Sequence, residues 1–221
     1  MITVDGPGGS GKGTVSRLLA QKLEWHLLDS GVLYRLTALA AFRKGIELNN
    51  ESALAVLARD LDVSFSASQE GKPIILLYGE DVSRDVRSEI CGESASKVAA
   101  LQSVREALLQ KQRDFRVFPG LVADGRDMGT AVFPDAPLKI FLTASLQERA
   151  LRRHEQLKAQ GVNANLSSLL HDLSERDARD VRRAVSPLRP ADDAVEIDSS
   201  ELDITAVLDR ILRLAIDRNI V

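Results

Sequence analysis

The residues best suited to chemistry lie near the start of the chain: Gly6, Pro7, Gly8, Gly9, Ser10, Gly11, Lys12, Gly13 and Thr14. A short apolar run, Ile2 to Asp5, precedes them, and a helical pattern follows. Strand, glycine-rich loop and helix, in that order, are the setting a phosphate-binding loop requires. Backbone N–H groups of such a loop form an anion nest, and the helix N-terminus adds partial positive charge. Lys12 would reach the terminal phosphates as a mobile point charge. The competing reading is a glycine-rich turn that only joins a strand to a helix. One position departs from the usual pattern. Ser or Thr normally follows the lysine directly and holds Mg²⁺; here Gly13 takes that place and Thr14 comes one later. No Asn-Lys-x-Asp guanine-reading motif occurs, which argues against a GTPase.

A second candidate is Leu121 to Asp124, a buried-type strand ending in a carboxylate. That placement suits a residue that holds Mg²⁺ or a water on it, although an Asp there can also merely cap a turn. Arg126 and Asp127 follow in the loop at the strand's end. Further arginines form groups. Arg149, Arg152 and Arg153 fall at i, i+3 and i+4, on one helical face. Arg176, Asp180 and Arg183 share a face of the next helix, with Arg179 and Arg182 nearby. Charge runs on helices are usually solvated faces supported by i, i+4 pairs, and Asp177 and Asp180 could supply them. Their position after the strand expected to neighbour the first, beside a phosphate-binding loop, favours neutralisation of a transferred phosphoryl group. Arg35 follows the turn Asp29-Ser30-Gly31, just past a strand end, where α/β sheets place ligands. A plain surface arginine is the alternative there.

The positioning elements follow from periodicity. Val15, Leu18, Leu19 and Leu23 share one helical face. Trp25 to Leu28 reads as a strand, with His26 half-buried in it. Asn50 is an N-cap for a helix from Glu51 to Leu61. Val63–Ser66, Ile74–Tyr78 and a third short piece after the Gly79 turn read as a β-meander, split at first by a polar, Gly-containing turn. A meander does not belong in a parallel core, so about 60–96 is expected to be an insert on the main sheet's edge. Val98, Leu101, Val104, Leu108 and Phe115 mark one long amphipathic helix. Leu138–Leu142 is a strand, and Ser145 caps the following helix. Ala194–Asp198 is the last strand, and a final amphipathic helix carries Ile204, Val207, Leu208, Ile211, Leu212 and Ala215.

Composition sets the limits. With 221 residues, 44% hydrophobic and 28% charged, the chain suits one α/β domain with perhaps one insert. A net charge of −3 suggests no bulk attraction to nucleic acid or anionic lipid. Cys91 is the single cysteine, so it is expected to pack rather than pair. With no signal-peptide pattern and no apolar run of membrane length, the expected compartment is the cytosol.

Gly6–Thr14, Leu28–Gly31 with Tyr34-Arg35, Val104–Leu108, Ala123–Thr130, Glu175–Asp177 and Arg183–Val185 together resemble bacterial cytidylate kinases over nearly the whole length. The Gly-Lys-Gly-Thr variant itself is similar to the loop of nucleoside monophosphate kinases. The resemblance implies five parallel strands with helices on both faces, a β-containing insert in the acceptor region and a short lid at about 149–165. It implies that Gly6 to Thr14 bind ATP, that Arg35, Arg126 and Arg183 hold the acceptor phosphate, and that Ser96, Arg105 and Asp127 contact cytosine. Ser30, Arg176 and Asp180 would lie near the acceptor phosphate or sugar, and Arg152 and Arg153 in the lid. Mg²⁺ would be held through Thr14 or Ser10 and Asp124, by way of water.

The activity this implies is phosphoryl transfer from MgATP to CMP or dCMP, with Lys12, Arg126 and Arg183 neutralising charge and no general base. The expected partners are those small molecules alone, with no nucleic acid, no membrane and a monomeric chain. Two other readings stand beside it: a related kinase for UMP, dTMP or a small metabolite, and a non-catalytic ATP-binding regulatory module. The second arginine set argues against the latter, because an ATP-only site would not need it.

Overall fold

The computed structural model describes residues 1–67, 73–159 and 161–221. The polar turn expected around Gly71 lies outside the described residues. The chain opens with β1 (Ile2–Asp5), α1 (Lys12–Leu23), β2 (His26–Asp29), α2 (Ser30–Arg43) and α3 (Glu51–Arg59). Next come β3 (Val63–Ala67), β4 (Pro73–Leu77), β5 (Glu80–Asp81), α4 (Glu89–Val98) and α5 (Gln102–Arg113). The last part holds β6 (Leu121–Gly125), β7 (Leu138–Thr143), α6 (Leu146–Ala159), α7 (Leu166–Arg182), β8 (Val195–Asp198) and α8 (Ile204–Asp217). Among the described residues no helix is long and apolar enough to cross a membrane.

Residues 1–29 and 113–221 pack as one unit, and Ser30 to Gln112 as another. The first contains a five-stranded parallel sheet in the order β2-β6-β1-β7-β8. β1 is central, and all four of its residues are buried. Its register pairs Val4 with Asp124 on one side and with Ile140 on the other. Ile2 and Val4 point into a core with Val15 and Leu19 of α1 and Val207, Ile211 and Ala215 of α8. Those α8 residues recur every fourth position, the spacing that lays one helical stripe on a sheet. Burying each of the large ones contributes about 1.5–3 kcal/mol. α1 leads from β1 toward one edge of the sheet, whereas α6 and α7 lead from β7 toward the other. Right-handed crossovers in opposite directions put these helices on opposite faces. The connection direction reverses at β1, whose C-terminal end carries the glycine loop, and such switch points form ligand crevices in open α/β sheets.

The other unit joins α2, α3, α4 and α5 to the three-stranded antiparallel sheet β3-β4-β5. The meander therefore has helical company, and the unit extends on both sides of the expected insert. Asn50 caps α3, its Oδ1 accepting from the Ala53 N–H at 3.2 Å. The single long helix expected from Val98 to Phe115 is instead two. α4 ends at Val98, and α5 begins at Gln102. At the break, the Ala99 carbonyl accepts from Arg105 Nη1 at 3.0 Å, and the Ser103 N–H donates to Glu51 Oε1 at 3.0 Å. A helix N-terminus thus finds an acceptor that continuous helix would not need. Cys91 is buried, as expected of a packing residue. His26 is exposed rather than half-buried, with its ring Nε2 3.0 Å from the Phe118 carbonyl.

Candidate active site

The loop after β1 has a backbone that only glycine fits. Gly6 has φ 148°, and a Cβ there would lie 2.0 Å from the Leu142 carbonyl oxygen. Gly9 has φ 80°, and its Cβ would press on the Arg149 Cβ at 3.0 Å. The loop is folded tightly against β7 and α6, and substitution at either position would both strain φ and clash. Inside it, Lys12 Nζ donates to the Pro7 carbonyl at 3.0 Å, and Ser10 Oγ donates to the same oxygen at 3.1 Å. Lys12 is only 7% exposed. Burial, and then the neighbouring Arg126 guanidinium, push its ammonium down to about 7. Thr14 lies on the exposed side of the first turn of α1.

Two carboxylates stand behind the loop. Asp124, at the end of β6, is buried, and burial raises it to about 7, while Lys12 pulls it back down. Its Oδ2 lies 3.2 Å from where a Gly13 Cβ would be. Asp5 closes β1. Burial raises it also to about 7, although it accepts from the N–H groups of Gly129 and Met128, both at 2.8 Å. Those two residues begin a π-helical turn, Met128–Val132, in which the Val132 N–H donates to the Asp127 carbonyl at 3.2 Å. π-turns of this kind occur often at functional sites. Sequence reading treated Asp5 as no more than a strand end. The available signal was a carboxylate closing an otherwise apolar central strand.

The arginines of this unit meet at Asp180. Arg126 Nε donates to Asp180 Oδ2 at 2.8 Å, and Arg183 Nη2 donates to Asp180 Oδ1. Burial favours the neutral acid, but Arg126 and Arg183 outweigh it and hold the Asp180 carboxyl below the usual range. Arg126 and Arg176 both approach the loop: a Cβ on Gly8 would be 3.5 Å from one and 3.9 Å from the other. Lys12, Asp124, Arg126, Arg176, Asp180 and Arg183 therefore gather around one glycine loop. Asp127 is buried beside them in sequence, at 3% exposure.

The arginines of α6 behave differently from a solvated face. Arg152 Nη2 donates to the Ser199 carbonyl at 2.5 Å, and its Nη1 reaches the Ser10 carbonyl at 3.4 Å. Arg149 is buried and donates to the Gly8 carbonyl at 3.0 Å. Arg153 donates to Gln156 at 2.6 Å. Ser145 caps α6, accepting from the Glu148 N–H at 3.2 Å.

The remaining candidates belong to the other unit. Arg35 Nη1 donates to the carbonyls of Val86 at 2.6 Å and Ser88 at 3.2 Å. A Cβ on Gly92 would sit 2.8 Å from Arg35 Nη2, so this glycine makes room for the guanidinium. Gly92 escaped the sequence reading because its neighbour across the helix pair is 57 positions away (92 − 35). The Arg105 guanidinium lies over the Tyr34 ring, 5.6 Å from its centre. Ser96 is buried, and Ser30 Oγ donates to Gln112 Oε1 at 2.7 Å.

No group of three or more His, Cys, Asp or Glu side chains that could hold a metal occurs among the described residues. Asp124 beside Gly13 suits an ion that keeps several waters and relies on ligand phosphates, which is how Mg²⁺ binds. The glycine cradle with Lys12, Arg126 and Arg176 around it suits a polyphosphate.

The family model described as cytidylate kinase matches residues 2–217. The chain is 61% identical over 221 residues to a protein named cytidylate kinase from Stutzerimonas stutzeri (strain A1501), covering 100% of this chain and 96% of that one. A protein of the same name from Pseudomonas putida (strain W619) is 59% identical over 222 residues, with 100% and 97% covered. Among solved structures, an uncharacterized protein from Eubacterium ventriosum ATCC 27560 is similar with a TM-score of 0.50 and 14% identity, covering 96% of each chain, a likeness of fold alone.

Proposed function

The chain belongs to the cytidylate kinase family, and from that premise we propose that it transfers the terminal phosphoryl group of ATP to CMP or dCMP. The products are ADP and CDP or dCDP. The observation that supports this reading most is the gathering of Lys12, Arg126 and Arg176 around the glycine loop. Cations crowded around one loop favour a polyanion as its ligand. Bound phosphates would restore the proton that burial and Arg126 draw off Lys12.

Gly6 to Thr14 hold the donor phosphates, with Lys12 on the terminal groups. Arg126 and Arg183, oriented by Asp180, take the acceptor phosphate together with Arg35, and Arg176 lies beside them. Ser30 and Asp180 serve the acceptor's phosphate and sugar end, and Arg153 stays with the lid. Mg²⁺, when bound, supplies further neutralisation of the phosphate charge; Asp124 and Thr14 are its protein-side holders, by way of water. The acceptor is a phosphate monoester whose second pKa is near 6. It arrives mostly dianionic at neutral pH, so no side chain has to take a proton from it. Alignment and charge neutralisation carry the chemistry. The insert at about 60–96 and the lid at about 149–165 close over the substrates and exclude water. The enzyme acts in the cytosol as a monomer.

Asp127 and Arg105, with Ser96, set the choice of base. A carboxylate accepts from the cytosine amino group, and arginine donates to its N3 or O2. Uracil presents an acceptor to the carboxylate and an N–H to the guanidinium. Each mismatch costs about 1–3 kcal/mol, so CMP should exceed UMP by roughly ten- to several-hundred-fold in kcat/KM. The test is a panel of CMP, dCMP, UMP, dTMP and small phosphate or hydroxyl acceptors with ATP and Mg²⁺. ADP formation led by CMP or dCMP supports the proposal. Preference for another acceptor, or nucleotide binding without turnover, overturns it. In Asp127→Asn the CMP-to-UMP ratio should narrow, mainly by loss with CMP; an unchanged ratio removes Asp127 from base selection.

A further inference from the structure

Arg149 spends its guanidinium on three separate parts of one unit. Its Nε donates to the Ala144 carbonyl at the end of β7 at 3.0 Å. Its Nη1 donates to the Gly8 carbonyl at 3.0 Å. Its Nη2 donates to Asp177 Oδ2 on α7 at 2.6 Å. The residue is 5% exposed, and its backbone and Cβ form the floor under Gly9. Gly8, held from below by Arg149, is also the loop glycine whose Cβ would meet Arg126 and Arg176. Asp177 lies three positions before Asp180, which binds Arg126 and Arg183. A continuous path runs from the glycine loop through Arg149 and Asp177 into the helix that carries Arg176 and Asp180.

We infer that Arg149 is a positioning residue: a strut that fixes the phosphate loop to α7, so that the donor-phosphate cradle and the Arg126–Asp180–Arg183 cluster keep one relative geometry. It touches no reacting atom. Its planar fork satisfies three acceptors in fixed directions, which a lysine ammonium on a flexible stem cannot reproduce. A buried ion pair is costly unless its polar atoms are used; here Nε, Nη1 and Nη2 each have a partner, and Asp177 Oδ1 has none among the described residues. Positional errors near 1 Å can cost a hundredfold in rate, so a strut of this kind matters to turnover without binding substrate.

The inference rests on the nucleotide-binding reading of the loop, not on the identity of the acceptor. The test therefore uses ADP binding by calorimetry in the full-length protein, below the unfolding midpoint of every variant. Asp177 makes no bond to the loop in this path; its charge also acts on Arg126, and that part persists in any variant of Arg149. Asp177→Asn should weaken ADP about three- to tenfold, and Arg149→Lys about tenfold or more. The double variant should lose less than the two single losses combined, the non-additivity of residues acting in series. In turnover, Arg149→Lys should lower kcat more than it raises KM for CMP. ADP affinity unchanged in Asp177→Asn, or additive losses in the double variant, overturns the strut. If the binding pattern holds but CMP is not phosphorylated by the parent protein, the strut stands and the acceptor reading falls.

Discussion

The two units prepare their charged residues in opposite ways. Around the glycine loop, charges are buried together and displaced from their ordinary ionisation. Lys12 is pushed down to about 7, and Asp5 and Asp124 are pushed up to about 7, burial being the first cause in each case. In the other unit two of the candidate arginines reach neutral groups of their own neighbourhood, while Arg43 pairs with Glu80 at 2.9 Å. Arg35 donates to the Val86 and Ser88 carbonyls, and Arg105 to the Ala99 carbonyl while covering the Tyr34 ring. The first arrangement stores unfavourable electrostatics that an anion relieves, whereas the second keeps its arginines held until a ligand competes for them. Perturbed ionisation clusters at functional sites for the first reason, and a search based on ionisation alone would miss the second.

Four experiments would break or sharpen that contrast. The largest effect is expected from Lys12→Ala. Loss of a charged donor at the transferred group should cost at least ~3 kcal/mol, or ~100-fold in kcat/KM. The thermal midpoint of the nucleotide-free protein should not fall, because the variant removes a buried cation crowded by Arg126. Activity within a few-fold of the parent would end the phosphate-loop assignment.

Arg35→Ala should weaken CMP by ~1.5–3 kcal/mol, the worth of a charge-assisted bond, with much less effect on ATP. Separate titrations of the two nucleotides decide it, and equal weakening would remove Arg35 from the acceptor site. Asp5→Asn should destabilise the nucleotide-free protein by about 1–3 kcal/mol. One carboxylate oxygen becomes an amide donor facing the Met128 or Gly129 N–H, and no rotation relieves both contacts. Chemical denaturation measures it; parental stability would mean that those two bonds carry nothing.

The remaining experiment reads a slope. Asp5 and Asp124 bind their protons more tightly folded than unfolded. Their contribution is full below about 4 and is lost as pH rises through about 7. Each can contribute at most ~1.4 kcal/mol per pH unit across that window. Asp180 acts with the opposite sign, but its contribution is lost only as pH falls below the ordinary carboxylate range. Unfolding free energies of the nucleotide-free protein from pH 4 to 7 should therefore fall, and less steeply in Asp5→Asn. A slope identical in the variant would show that Asp5 titrates normally.

What the sequence disclosed and what it hid divide along contact distance. The glycine loop, the strand ending at Asp124 and the caps Asn50 and Ser145 are local patterns, each set by residues a few positions apart, and the structure contains all of them. The alternation of apolar runs and helical stripes marked an α/β chain, and the five-stranded parallel sheet was implied by the family resemblance. The break between α4 and α5 was invisible because Val98 and Leu101 preserve the i, i+3 spacing across it. Asp5 was read only as a strand end because its hydrogen-bond partners are 123 and 124 positions away. The Gly8 carbonyl that Arg149 reaches and the Ser10 carbonyl that Arg152 reaches lie 141 and 142 positions earlier, contacts that no side-chain pattern reveals.

Gly13, where a hydroxyl residue would ordinarily stand, has a consequence for how such chains can change. A side chain there would start 3.2 Å from Asp124 Oδ2. Asp124 is buried, so it has little room to withdraw. A side chain at 13 would therefore press on Asp124, whose carboxylate must give by a few tenths of an ångström to admit it. A motif search that insists on a hydroxyl directly after the lysine would pass over this chain.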